Sequence, residues 1–143
     1  MQNAHEKARQ TWVLILASLA SFMVSLDATV VATALTTIHR DLGVSIANLE
    51  WTVNAYTLSF AVLLIPAAAL GDRFGRRRMF VAGLLLFVGA SAACALAHGI
   101  GWLIAARTIQ GCGAALVAPL ALTLLSVAFE PAQRAWALGI FGS

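Results

Sequence analysis

Four runs of nearly unbroken apolar residues, at 12–35, 51–70, 79–97 and 102–127, decide what this chain can fold into. Each is close to or above the ~20 residues a helix needs to cross a ~30 Å hydrocarbon layer. Inside lipid no water is available to backbone N–H and C=O groups, so a spanning segment must satisfy them within itself, as an α-helix does. The chain turns at Glu130 and Pro131, and a fifth apolar run begins at Ala135 and is incomplete at Ser143. The expected fold class is all-α: a polytopic helical membrane protein with four complete transmembrane helices plus the start of a fifth. Composition agrees, with 61% hydrophobic and 10% charged residues against roughly 45–50% and about 25% in soluble domains.

The net charge of +3 does not point to nucleic acid, because the basic residues sit at the ends of apolar runs and not along one polar face. Their distribution sets orientation instead. Lys7, Arg9, Arg73, Arg76, Arg77, Arg78 and Arg134 fall on one side of the bilayer and only Arg40 on the other, which by the positive-inside rule makes the N-terminus cytoplasmic in a multi-pass protein of the cell's inner (plasma) membrane. Lys7 and Arg9 before an apolar run imitate a secretory signal. The run is longer than a signal core, carries Asp27 and is followed by three more spans, so it reads as the first transmembrane helix. Trp12, Trp51, Trp102 and Trp136 stand at span starts, where an amphipathic ring prefers the headgroup layer. Cys94 and Cys112 lie in apolar runs without metal-type spacing or partner histidines and read as packing residues. No Ser/His/Asp, Cys/His or metal constellation is present, so neither an enzyme nor a cofactor or metal site is expected.

Two charges interrupt the runs. At 1.5 Å per residue Asp27 lies roughly 22 Å beyond Trp12, and Arg107 roughly 8 Å beyond Trp102 on a helix entering from the other side. Both therefore sit about 8 Å below the same outer boundary of a ~30 Å core. A charge in mid-helix costs about 2.5–3.5 kcal/mol on insertion scales, so pairing or a watery cavity must relieve it. Arg107 has the length to snorkel outward; the short Asp27 side chain does not. Helical spacing puts Arg107, Gln110, Gly111 and Ala114 on one face, with Cys112 and Gly113 off it; Gly111 and Gly113 are candidate helix-packing residues. Asp27, Arg107, Gln110 and Asn54 are the candidate residues of a proton-coupling and substrate cavity. Ser25, Thr29, Thr33 and Thr37 form an i, i+4 stripe about 200° from Asp27, expected to hydrogen-bond to a neighbouring helix. Pro66 and Pro119 remove backbone donors and are candidate bends.

The connection ALGDRFGRRR, residues 69–78, is more specific than a positive-inside cluster requires. Asp72 stands four residues before Arg76 with Gly75 between. Glycine permits a tight turn with positive φ, and an acid near a helix start can meet backbone donors there. Asp72, Arg73, Gly75, Arg76 and Arg77 are the candidate gating loop.

These motifs resemble the N-terminal part of a major facilitator superfamily transporter, and within it the drug:proton antiporters of the fourteen-span branch. Leu70, Asp72, Arg73, Gly75, Arg76 and Arg77 match the superfamily's signature between spans two and three. LDATVVATAL (26–35) resembles the antiporters' first-span motif, LIAARTIQGCGAA (103–115) the fourth-span motif, and WTVNAYTL (51–58) a second-span opening of the fourteen-span branch. Ala68, Ala32 and Thr36 depart from the usual Gly, Asn and Pro. The resemblance implies a major-facilitator-type N-terminal bundle over residues 1–143, completed by the remaining spans of the same transporter. It implies alternating access around a central cavity, with spans one and four in equivalent places of three-helix repeats and Asp27 and Arg107 on opposite walls. Asp27 would take up a proton and release it as a small-molecule substrate crosses, with Arg107 as counter-charge. Three functional readings stay open: a proton-coupled exporter of lipophilic or cationic compounds, a transporter of a defined metabolite, and a membrane-inserted fragment without transport activity.

The orientation is testable by labelling single-cysteine variants from either side of the membrane. Residues 75 and 132 are expected to react only from the cytoplasm and residues 43 and 99 only from outside; outside labelling at 75 overturns the assignment.

Overall fold

The computed structural model describes residues 2–142; the apolar runs at 12–35, 51–70 and 102–127 each lie within a helix, while the run at 79–97 passes the end of its helix by Leu96 and Ala97. The order is α1 (Gln2–Leu42), α2 (Ile46–Phe74), α3 (Arg76–Ala95), α4 (Ile100–Ala128) and α5 (Pro131–Gly142). The first four are each long and apolar enough to cross a membrane. The chain is an all-α, multi-pass membrane protein.

Helix ends overrun the apolar runs because helical hydrogen bonding continues where hydrocarbon stops. α1 has 41 residues, roughly 60 Å of helix, about twice the hydrocarbon thickness. It therefore carries Glu6, Lys7 and Arg9 on a helical extension. Gly43, at φ 59, follows α1, and Ser45 caps α2 by accepting a hydrogen bond from the Asn48 N–H. Gly75 alone joins α2 to α3, at φ 100, a left-handed conformation for which a Cβ would be a penalty. α5 begins at Pro131, four residues ahead of the apolar run; proline at the first helical position has no N–H to leave unpaired. α2 and α4 run without a break through Pro66 and Pro119.

α4 is the central helix. Within its most apolar stretch 44% of residues are buried, against 11%, 11% and 22% in α1, α2 and α3. It packs against every other helix. Toward its C-terminal end Val117, Leu120, Ala121 and Leu125 meet Ala17 and Ala20 of α1, Phe80 of α3 and Ala137 of α5 in one apolar core. Small residues bring the backbones together. A Cβ on Gly113 would lie 2.7 Å from the Phe87 nitrogen and 2.8 Å from the Gly83 carbonyl oxygen of α3. One on Gly111 would lie 2.5 Å from the Tyr56 carbonyl oxygen of α2. Successive glycine positions in α4 thus serve two different neighbours. Large apolar side chains such as Phe22, Ile65 and Leu85 point outward, as do Trp12, Trp51, Trp102 and Trp136, a surface suited to lipid or to further helices and not to water.

Among the described residues, the Ser/Thr stripe of α1 makes no hydrogen bond to another helix. Thr29 donates to the Ser25 carbonyl and Thr33 to those of Thr29 and Val30, all exposed bonds within α1. A hydroxyl one turn above a carbonyl finds an acceptor on its own helix first.

The packing generates a pair of substitutions with opposite outcomes. Gly113→Leu forces α3 and α4 apart and is expected to destabilise by about 1–3 kcal/mol. Gly101→Ala, where nothing lies within 4 Å of the added carbon, is expected to be neutral or to stabilise by up to ~1 kcal/mol. Thermal midpoints of the detergent-solubilised variants check both.

Candidate functional site

The apolar core gives way, toward the Gly43 and Gly99 ends of the helices, to a single polar cluster. Asp27 of α1 meets Arg107 and Gln110 of α4, which share a face because they are three residues apart. Arg107 Nη1 donates to Asp27 Oδ2 at 2.6 Å and to Gln110 Oε1 at 2.8 Å. Gln110 Nε2 donates to the other carboxylate oxygen, Oδ1, at 2.7 Å. The three side chains close a triangle in which each carboxylate oxygen accepts one bond and the amide both gives and takes. The amide has one orientation that satisfies both neighbours. Cys94 of α3 adds a long thiol contact to Gln110 Oε1, 3.6 Å. From α2 the ring of Tyr56 lies under the guanidinium, with Arg107 Cζ 4.3 Å from its centroid.

Burial makes this arrangement consequential. The Arg107 side chain is 3% exposed and that of Asp27 14%; Gln110 is 1% exposed. In so dry a place two opposite charges cannot be left apart, and their attraction draws α1 onto α4. Asp27 and Arg107 accordingly do not face each other across an open cavity, as the family resemblance implies; they are in contact. Arg107 does not snorkel to the surface either. Its Nε is buried with no hydrogen-bond partner among the described residues.

Asn54 stands apart from the cluster. It is exposed and lines a groove of about 480 Å3 between α1 and α2, beside Leu35, Thr36, His39, Glu50 and Val53. The reason is angular: Asn54 is two positions from Tyr56, roughly 200° around α2, so with Tyr56 turned toward Arg107 it is turned away. Tyr56 and Cys94 are the members that sequence reading missed. Tyr56 did carry a signal, being the single tyrosine of the chain inside an apolar run, where an amphipathic ring needs a partner. Nothing in the sequence separates Cys94 from a packing thiol.

The candidate gating loop lies sixteen residues along α2 from Tyr56, roughly 24 Å away. Arg76 Nε and Nη2 both donate to Asp72 Oδ1, at 3.0 and 2.9 Å. The expectation that Asp72 meets the donors at a helix start is not met: Asp72 is in the last turn of α2, and it takes the Arg76 side chain across the Gly75 turn. The pair is exposed and contributes little to stability by itself. Arg73 stacks on Phe74, with Cζ 5.5 Å from the ring centroid, while Arg77 is exposed.

Residues 17–143 match the Major Facilitator Superfamily. The chain belongs to this superfamily. Relatives include the puromycin resistance protein of Streptomyces alboniger, 43% identical over 136 residues, or 94% of this chain and 27% of the relative. The cephamycin export protein of Amycolatopsis lactamdurans is 46% identical over 124 residues, 87% of this chain and 26% of the relative. The tetracenomycin C resistance and export protein of Streptomyces glaucescens is 42% identical over 131 residues, 91% and 24%. The chain spans about a quarter of the length of these curated major facilitator relatives.

The buried pair predicts strong coupling. Asp27→Leu leaves Arg107 uncompensated and is expected to cost roughly 3–5 kcal/mol, whereas Asp27→Leu with Arg107→Leu recovers most of it. Denaturant unfolding of the solubilised full-length protein measures the cycle; additive losses show that the two charges do not depend on each other.

Proposed function

We propose that the chain is part of the N-terminal transmembrane domain of a proton-coupled exporter of small lipophilic or cationic compounds, working by alternating access as an antiporter. The observation that carries this reading is the closed Asp27–Arg107–Gln110 cluster. An ionised pair buried in a membrane bundle is costly, and such residues ordinarily mark an ion or substrate pathway. Arginine keeps its proton at any physiological pH, so exchange falls to Asp27. A proton on Asp27 cancels the Coulomb attraction across the α1–α4 contact. The neutral acid keeps only ordinary hydrogen bonds to Arg107 and Gln110, so the contact weakens and the two helices become free to separate. Reionisation draws them together. Substrate and proton thereby compete for one conformational equilibrium, which is all that coupling requires.

The names of the three relatives, which concern resistance to or export of puromycin, cephamycin and tetracenomycin C, favour export of drug-like compounds over the other readings. In this scheme Asp72, Arg73, Gly75, Arg76 and Arg77 form the cytoplasmic gate. Their exposed ion pair is weak enough to break and re-form in each cycle. The N-terminus is cytoplasmic and the protein resides in the plasma membrane, with protons, the bilayer and the remaining spans of the transporter as partners.

Asp27→Asn holds the site neutral. In the full-length protein reconstituted in vesicles it is expected to abolish uphill export driven by a pH gradient while substrate still binds, and Arg107→Ala is expected to alter the pH dependence of transport. An Asp27→Asn protein that still moves substrate uphill on a pH gradient sinks the proposal.

A further inference from the structure

Neutralising Asp27 raises a question that the proton cycle alone leaves open: what holds a guanidinium that is 3% exposed once its counter-charge is gone. Around Arg107 each of the first four helices presents one group. α1 offers Asp27, α3 the thiol of Cys94 through Gln110, α4 the Gln110 amide and α2 the ring of Tyr56. The other carboxylates, Glu6, Asp41, Glu50, Asp72 and Glu130, all lie near helix ends. After protonation the electron-rich groups left within reach are the carbonyl oxygen of the neutral Asp27 carboxyl, the Gln110 carbonyl oxygen and the face of the Tyr56 ring.

We propose that Tyr56 is a positioning residue for transport: its ring face keeps the Arg107 guanidinium in place while Asp27 is neutral. The inference rests on the reading of Asp27 as the proton carrier. The geometry is built for it. Arg107 Cζ stands 4.3 Å from the ring centroid, inside the ~6 Å at which a cation is attracted by the ring quadrupole. The ring is braced from below by Phe60, one turn on, with centroids 6.3 Å apart and planes 7° from parallel. Its backbone is braced by Gly111, one turn on from Arg107, whose missing side chain lets α4 approach the Tyr56 carbonyl. Among the described residues the contact that Tyr56 makes to Arg107 is through the ring face.

The ring acts differently in the two states. With Asp27 ionised, the carboxylate at 2.6 Å dominates the position of the guanidinium and the ring is a secondary contact. With Asp27 neutral, the charge attraction ends, only an ordinary hydrogen bond to the acid remains, and the cation settles on the ring. The ring therefore favours the protonated state of the site. Weakening it makes proton uptake harder, so transport needs a lower pH.

The test varies the electronics of the ring at nearly constant shape. In the full-length protein reconstituted in vesicles, Tyr56→Phe is expected to keep the wild-type pH profile of substrate transport. Incorporating 3,4,5-trifluorophenylalanine in place of Tyr56 weakens the negative face. It is expected to move the half-maximal pH down by about half a unit, the scale set by a partly lost cation–π contact. Tyr56→Leu should move it in the same direction and lower the maximal rate several-fold. A trifluorophenylalanine protein whose profile superimposes on that of Tyr56→Phe overturns the proposal, and does so without asking the bundle to tolerate a cavity. Asp27→Asn measured alongside separates the two readings. If it is silent and the ring series is flat, only the role of Tyr56 fails; if it still drives uphill transport, the proton site and the role of Tyr56 fail together.

Discussion

A guanidinium that cannot lose its proton sits in the N-terminal half of the most buried helix, and the rest of the bundle is arranged to tolerate it. Arg107 could be relieved by water, by the headgroup layer or by an acid. Here an acid does it, with an amide holding both partners and an aromatic face beneath. Each of those relieving groups comes from a specific azimuth, so satisfying one charge fixes the rotation of α1, α2 and α4 about their own axes. In lipid, where burying apolar surface gives little reason for one helix to prefer another, this is a strong source of specificity.

The two halves of α4 use different physics. Its C-terminal half is held by shape: Val117, Leu120, Ala121 and Leu125 fill an apolar core. Its N-terminal half is held by the ion pair and hydrogen bonds of Asp27, Arg107 and Gln110. Under the proposed transport cycle, that division would let the charged contact loosen while the apolar one keeps α4 in register. Gly111 and Gly113 stand near the boundary, one admitting α2 and the other α3, so close backbone approach is concentrated where the polar cluster begins.

Much of this was legible in the sequence, and the parts that were not share a cause. Run length identifies a membrane helix because hydrocarbon thickness is fixed, which is why each apolar run falls on one helix of the structure, the third passing its end by two residues. It does not locate helix ends: residues 2–11 form helix without being apolar. Helix rise placed Asp27 and Arg107 at one level, since depth follows from counting. Direct contact was not legible, because it depends on how α1 and α4 are rotated, and rotation is a property of the assembled bundle. The same gap explains Asn54 and Tyr56. Two positions apart on α2, they cannot both face Arg107, and the sequence does not say which one does. The Gly75 turn was readable because glycine freedom is local; the partner of Asp72 was not, since α2 continues farther than its apolar run.

α1 is a single helix from Gln2 to Leu42, and its length has a mechanical meaning. It is tied to α4 at two heights: through Asp27, and through Gln10, whose amide donates to the Ala128 carbonyl at 2.8 Å where α4 ends. Seventeen residues separate the ties, roughly 26 Å of rod. For a straight rod of this length, a tilt of about 5° pivoting at one tie displaces the other by roughly 2 Å, comparable with the length of the hydrogen bond there. Under the proposed cycle, a tilt of α1 that accompanies a change at the buried carboxylate would be felt at the other end of the rod, where Gln10 holds the Ala128 carbonyl beside the connection from α4 to α5.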